Sequence, residues 1–142
     1  PPASRKGRRH LPCLAQIATA NALYPFRLDK ADFSAALTEI LQSPGIIKSG
    51  IAIADDLRQL KLRFPFEEKR AVDPGRIAKR QGCPQTGLRN LAGIFLGFRI
   101  PKGSRTSNWA ARHLSAAQSA YAATDAWACR ELYLRFEAGR ML

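Results

Sequence analysis

Two groups of side chains in this sequence have the types and the spacing that could do chemistry. Tyr121 and Asp125 stand four residues apart, so on a helix they would share one face, one turn from each other. Asp55 and Asp56 form a second acidic site, where a strand is predicted to end and a helix to begin. Carboxylate oxygens are ligands that Mg²⁺ prefers, and a neighbouring phenol could hold a water. The two sites together would suit metal-assisted chemistry.

Each acidic site also has an ordinary structural interpretation. Asp55 is predicted to cap the helix that follows it, and Asp56 would then be merely solvated. Tyr121 and Asp125 lie among alanines, so they could equally be the polar face of an amphipathic helix. The large residues that follow in the same helix are expected in the core: Trp127, Leu132, Tyr133 and Phe136.

A basic segment before the last helix is a third candidate site. Basic side chains beside an aromatic ring suit single-stranded nucleic acid, because phosphate attraction combines with base stacking. A solvated loop with Trp109 tucked into the core is the alternative. The predicted nucleic-acid-binding residues are Lys102, Arg105, Ser107, Asn108 and Trp109, together with Arg89 and Asn90 on the preceding helix.

Composition narrows the class of partner. The 142 residues include 23 basic and 11 acidic side chains, a formal net charge of +12, which favours nucleic acid over an anionic membrane. An apolar content of 46% argues against a disordered chain. The three cysteines have no metal-ligand spacing and are odd in number, so a reducing, cytoplasmic location without disulfides or structural zinc is expected. No apolar run is long enough to predict a membrane span.

The elements that would position these groups form one α/β domain over residues 1–142. Strands are predicted at 13–19, 22–28, 46–53 and 71–73. Helices are predicted at 32–42, 55–64, 74–81, 86–96 and 115–137, with Gly97 ending the fourth. This order predicts a mixed sheet covered by helices.

In their order and spacing, several segments resemble the DEDD-type 3′–5′ exonucleases, in the tyrosine subclass of ribonuclease D and the Werner-type exonuclease domain. The segments that carry the resemblance are 14–19, 48–56, 87–92, 107–109 and 121–126. The resemblance implies a ribonuclease-H-like mixed sheet and hydrolysis of nucleic acid from its 3′ end. It also implies two ions, Mg²⁺ or Mn²⁺, held in part by Asp56 and Asp125. Tyr121 matches the tyrosine that orients the attacking water.

The chain departs from this family pattern in one place. Family members carry two of their four carboxylates as Asp-x-Glu on the central first strand, and that strand is expected to be absent from this chain. Two ions would lack ligands with only Asp56 and Asp125 present. The leading prediction is therefore an N-terminally incomplete exonuclease domain, inactive as given and marginally folded.

Two other functions stay open. A catalytically silent relative would bind nucleic acid with a steep salt dependence and no metal dependence, because only its basic surface would act. A structural α/β domain with neither role would not bind single strands even at low salt. The sequence does not choose between DNA and RNA, since phosphate contacts and stacking serve both.

Overall fold

Two short sheets and five α-helices make up the fold in the computed structural model, which describes residues 14–19, 23–27, 34–100 and 116–142. Strands β1 (Leu14–Ala18) and β2 (Leu23–Arg27) pair antiparallel. Strands β3 (Lys48–Ser49) and β4 (Ala71–Val72) pair in parallel. The expected α/β class with both strand directions is confirmed, and within these ranges the two pairs form separate sheets.

The helices follow the predicted order. They are α1 (Ser34–Gln42), α2 (Ile53–Leu60), α3 (Pro74–Arg80), α4 (Leu88–Leu91) and α5 (Ala116–Ala138). The helix predicted at 86–96 is divided, because α4 continues as a π-helical turn over Ala92–Leu96. Gly97 ends this turn in the left-handed region at φ 63°, as predicted.

The start of α2 differs from the prediction. Asp55 is not its N-cap; Ala52 is, in the left-handed region at φ 54° and ψ 34°. The helix begins earlier because its apolar stripe begins at Ile53, which packs on the same cluster as Leu57 and Leu60. The predicted strand at 46–53 is correspondingly reduced to Lys48–Ser49. Asp55 forms an exposed ion pair with Arg58, one turn further along the helix.

Helix α5 organises the largest part of the core. Its Leu132 and Phe136 are fully buried against Ile77 and Leu91, which belong to α3 and α4. The ring of Phe95 meets that of Phe136 edge-on, with centroids 4.8 Å apart. Because α5 also contacts β1 and β3, side chains one or two turns before Leu132 are brought to the strand ends.

Two of the four α5 side chains expected in the core, Trp127 and Tyr133, lie outside it. Trp127 is 39% exposed, and its ring packs edge-on against the equally exposed ring of Phe98 at 5.4 Å. Tyr133 is half-buried, and its hydroxyl donates to Glu137 at 3.1 Å. Trp127 lies two residues from Asp125, so the two side chains point to opposite sides of α5. The sequence pattern alone does not tell which side is covered.

Candidate active site

Asp56 lies in the first turn of α2, where unpaired backbone N–H groups favour a negative charge. Its own N–H donates to the carbonyl of Ala52 at 3.4 Å, and that of Asp55 donates to the same oxygen at 3.0 Å. Partial desolvation raises the pKa of the Asp56 carboxyl, and the nearby charge of Asp73 raises it further. The residue still keeps an exposed surface, so a cation could reach it.

Asp125 lies in the middle of α5 and is less exposed to solvent than Asp56. The residue is half-buried, and desolvation raises the pKa of its carboxyl to about 6. Tyr121 lies one turn earlier in the same helix and is also half-buried. The predicted pairing of a phenol and a carboxylate on one helical face is therefore present.

The buried thiol of Cys129 lies within electrostatic range of both acidic sites. Cys129 lies one turn after Asp125, and burial raises the pKa of its thiol to about 11. A hydrogen bond with the backbone of Ile51 opposes this rise, whereas the charges of Asp125, Asp56 and Asp73 add to it. These three carboxylates therefore lie within electrostatic range of one buried thiol. A thiol with a raised pKa stays protonated and is a poor nucleophile, so Cys129 is not a candidate nucleophile.

A direct hydrogen bond joins the two elements that carry this site. The hydroxyl of Ser49, at the end of β3, donates to the carbonyl oxygen of Cys129 on α5 at 2.8 Å. Asp56 lies in the first turn of α2, the helix that follows β3, and Asp125 precedes Cys129 by one helical turn. The end of β3 and helix α5 are therefore held together one helical turn from Asp125.

The donor set fits part of a site for a hard divalent cation. Asp56 and Asp125 supply carboxylate oxygens, which suit Mg²⁺ and Mn²⁺ better than a softer metal. Across residues 14–19, 23–27, 34–100 and 116–142, no three His, Cys, Asp or Glu side chains are grouped closely enough to hold a metal. A two-ion centre would need further ligands besides these two aspartates.

Asp73 is a residue of this region that the sequence reasoning missed. Its Oδ1 accepts from the N–H of Gly75 at 2.8 Å and so caps α3, which has Pro74 at its first position. Its Oδ2 accepts from the N–H of Ala52 at 3.0 Å. The Asp-Pro pair at a strand-to-helix boundary is a capping signal that could have been found. The contact with Ala52 joins distant segments and leaves no local signal.

Two of the seven predicted nucleic-acid contacts lie in the described ranges, and both bind backbone. The guanidinium Nε of Arg89 donates to the carbonyl of Ile100 at 3.0 Å. The side-chain amide of Asn90 donates to the carbonyl of Gln85 at 2.6 Å. Arg89 therefore holds the chain where the basic segment begins. The other five residues lie outside the described ranges: Lys102, Arg105, Ser107, Asn108 and Trp109.

Comparison with known proteins places the chain among nucleases. A family model described as 3′-5′ exonuclease matches residues 4–138. Ribonuclease D of Acidiphilium cryptum (strain JF-5) is 32% identical over 124 residues, covering 85% of this chain and 31% of that protein. Exonuclease 3′-5′ domain-containing protein 2 of Mus musculus is 32% identical over 104 residues, covering 69% of this chain and 16% of that protein. The chain thus spans a third or less of these curated relatives.

Solved structures give the same result for the fold. Escherichia coli RNase D, described as an exoribonuclease involved in structured RNA processing, has a TM-score of 0.78 and 26% identity, covering 92% of this chain and 36% of that one. Brucella melitensis NrnC bound to pGG has a TM-score of 0.76 and 25% identity, covering 91% and 66%. The same protein with bound Mg²⁺ gives 0.61 and 26%, covering 74% and 53%.

In the described ranges, none of the helices has the length and apolar character that crossing a bilayer requires. The α/β architecture with its parallel strand pair agrees with the ribonuclease-H-like fold of these nucleases. The chain belongs to the 3′–5′ exonuclease family, in the branch that includes ribonuclease D.

Proposed function

We propose that the chain acts as a 3′–5′ exonuclease domain that hydrolyses nucleic acid from its 3′ end with two divalent ions. The observation that supports this proposal is that the charges of Asp56 and Asp125 both act on the buried thiol of Cys129, in a chain of this family. These carboxylates come from separate elements, and partial desolvation raises the pKa of each. Such desolvation favours cation binding, since a cation offsets the charge that burial disfavours.

Asp56 and Asp125 would hold Mg²⁺ or Mn²⁺, which would activate a water and stabilise the leaving oxygen of a phosphodiester. Asp125 must be deprotonated for this role, so the site would gain affinity above pH 6. Tyr121 lies one helical turn from Asp125, which suits a phenol that orients the attacking water. Mg²⁺ in the related NrnC structure supports the choice of ion.

The substrate is proposed to be single-stranded or 3′-recessed nucleic acid. The net charge of +12 favours a polyanion, and the basic segment that begins beyond Ile100 carries the predicted contact residues. Arg89 fixes the backbone at the beginning of that segment through its bond to Ile100. The NrnC complex with pGG and the RNA-processing role of E. coli RNase D support a nucleic-acid partner. The cytoplasmic location remains a prediction from the cysteines.

The 142 residues alone are proposed to be inactive. The sequence contains no Asp-x-Glu, so Asp56 and Asp125 would be only two of the roughly four carboxylates that the family pattern implies for two ions. Activity is therefore expected from a chain that also carries the Asp-x-Glu strand of a ribonuclease D. The comparison between the chain with and without this strand tests the ligand count directly.

The decisive experiment follows 5′-labelled single-stranded RNA and DNA with the extended chain in Mn²⁺. The expected product is a ladder shortened from the 3′ end, abolished when EDTA removes the metal. Binding that falls steeply with salt but is unaffected by EDTA, with no cleavage, would instead support the catalytically silent relative. An extended chain that neither cleaves nor binds would contradict both functions and leave the structural domain.

A further inference from the structure

We propose that Asp73 and Ser49 are positioning residues that fix the first turn of α2, and with it Asp56, against Asp125 on α5. The inference rests on the proposed function only in giving Asp56 and Asp125 a metal to hold. The positioning itself is a property of the fold. Neither residue is proposed to touch the metal or the substrate.

The Asp73 carboxylate binds the backbone on both sides of the site. One oxygen accepts from Gly75 in α3, and the other accepts from Ala52, the residue that begins α2. The carbonyl of Ala52 in turn accepts from the N–H groups of Asp55 and Asp56. One chain of hydrogen bonds therefore runs from the cap of α3 to the backbone of the proposed metal ligand.

The parallel strands bring Asp73 to this place. The N–H of Gly50 donates to the carbonyl of Val72 at 3.0 Å, which is the last bond of the β3–β4 ladder. The segments that follow β3 and β4 leave the ladder side by side, so Asp73 lies opposite Ala52. Because Ala52 is in the left-handed region, its N–H points away from an ordinary helical entry and needs an acceptor from elsewhere. Asp73 is that acceptor.

The small size of Gly75 keeps this arrangement in place. A Cβ atom at this position would lie 3.0 Å from Asp73 Oδ1 and 3.0 Å from the carbonyl oxygen of Thr86. A larger residue would therefore push the carboxylate away from its two donors. The close fit shows that the space around Asp73 is built for backbone contacts.

Ser49 makes the second of the two side-chain contacts, and we call the Asp73 and Ser49 contacts together the brace. Its hydroxyl donates to the Cys129 carbonyl, which fixes the end of β3 on α5. The acceptor lies one turn after Asp125, in the most buried part of the helix. Asp73 thus sets the position of Asp56 on the strand side, and Ser49 sets the distance from the strand to the helix that carries Asp125.

The variant Asp73→Ser separates capping from positioning. Serine is a good N-cap, so the bond to Gly75 can persist, but its side chain is too short to reach Ala52. The variant Ser49→Ala removes the bond to α5. Asp55→Ser makes the same chemical change as the first variant at an exposed position on the same turn as Asp56, and serves as the matched control.

Two measurements on the extended chain, which also carries an Asp-x-Glu strand, test the positioning role. Residual dipolar couplings give the angle between α2 and α5 without metal, and electron paramagnetic resonance gives the Mn²⁺ dissociation constant. We expect Asp73→Ser and Ser49→Ala to change the angle and to weaken Mn²⁺ binding by about tenfold or more. Asp55→Ser should change neither. If Asp73→Ser fails to fold, Ser49→Ala makes the same test from the other end of the brace.

An angle and an Mn²⁺ affinity that both match the unsubstituted extended chain in these two variants would overturn the inference. The absence of Mn²⁺ binding by the unsubstituted extended chain would refute the proposed function but not the positioning role. If that chain binds no Mn²⁺ at Asp56 and Asp125, the metal site is lost, and the angle between α2 and α5 decides the positioning role by itself.

Discussion

The two halves of the candidate site have opposite kinds of local structure. Asp125 lies inside the regular 23-residue helix α5, which Leu132 and Phe136 anchor in the core. Asp56 lies at the start of the 8-residue helix α2, which begins at a left-handed residue and depends on a distant side chain. Asp125 is placed by regular local structure, whereas Asp56 is placed by tertiary contacts. Changes to the two halves should therefore have different effects.

Their electrostatic environments differ in the same way. Asp125 has a pKa raised to about 6 mainly by burial. The pKa of Asp56 is raised by partial desolvation and by the charge of Asp73, whereas the N-terminus of α2 favours the charged form of this carboxyl. Removing the charge of Asp125 should therefore stabilise the fold and destroy the chemistry, which is a usual trade-off at active sites.

The largest expected effect comes from Asp125→Asn. In the extended chain we expect this change to lower the rate of metal-dependent trimming by more than about a hundredfold, beyond what the loss of a partner outside the ligand shell usually costs. The amide has the same size but is a weaker cation ligand. Single-turnover rates in Mn²⁺ provide the measurement, and circular dichroism checks the fold.

Asp55→Asn is the matched control, because it removes the same charge from the exposed ion pair with Arg58. It should leave the rate within about twofold, as surface pairs contribute little. Full activity in Asp125→Asn, or an equal loss in both variants, would remove Asp125 from its proposed role.

A smaller effect is expected from Tyr121→Phe. The ring keeps its packing on α5, but the hydroxyl that would orient the water is lost. We expect kcat to fall by about ten- to a hundredfold and KM to change little, because a misplaced nucleophile slows chemistry more than binding. Steady-state kinetics on a labelled oligonucleotide separate the two constants. An unchanged kcat would exclude Tyr121 from the mechanism.

The dependence of stability on pH should contain a contribution from Asp125, which has the same direction as that of Asp56 because both pKa values are raised. A carboxyl whose folded pKa is raised adds stability below its unfolded value near 4, and this is lost as the pH rises through about 6. Since Asp125 is half-buried, we expect a loss of about 1–2 kcal/mol between pH 4 and pH 7. Glu68 has a lowered pKa, mainly through its hydrogen bond with Lys61, and acts in the opposite direction.

Comparison with Asp125→Asn therefore isolates the contribution of this one group. Urea unfolding at pH 4 and pH 7 gives the two free energies. The variant should match the original chain at pH 4 and exceed it at pH 7. A difference of the same size at both pH values would mean that burial does not raise the pKa of Asp125.

The sequence predicts these two halves unequally, for physical reasons. Spacing on a regular helix is a local property, so Tyr121 and Asp125 could be placed on one face from their positions alone. The start of α2 is set by Ile53 packing on Leu57 and by the contact of Asp73 with Ala52. A pattern that predicts Asp55 as the cap describes only neighbours along the chain, and tertiary packing overrides it.

The same distinction explains the other differences. The apolar character of Trp127 is visible in the sequence, but its partner Phe98 and its exposure depend on how α5 lies over the turn that ends at Gly97. The division of the helix predicted at 86–96 comes from a π-helical turn over Ala92–Leu96, which contains Gly93. A single glycine lowers helix propensity but does not specify a π-helical turn. The periodicity predicted that a helix exists here, but it did not predict the change from α-helical to π-helical hydrogen bonding.

The smallest effect tests the strain at the start of α2. Ala52 is exposed and has φ 54°, which is unfavourable by about 1–2 kcal/mol for a residue with a side chain. Glycine removes this strain, although it also adds freedom to the unfolded chain. We therefore expect Ala52→Gly to raise the free energy of unfolding by about 0.5–1 kcal/mol. The midpoint of urea denaturation provides the measurement.

Ala54→Gly is the control for this last comparison, since Ala54 is exposed two residues later and lies within α2. Here glycine should lower the free energy of unfolding by about 0.5–1 kcal/mol, because no strain is relieved. Opposite signs at two neighbouring alanines would show that tertiary contacts hold Ala52 against its own preference. If both changes destabilise equally, Ala52 is not held in the left-handed region, and the brace through Asp73 loses the turn on which it acts.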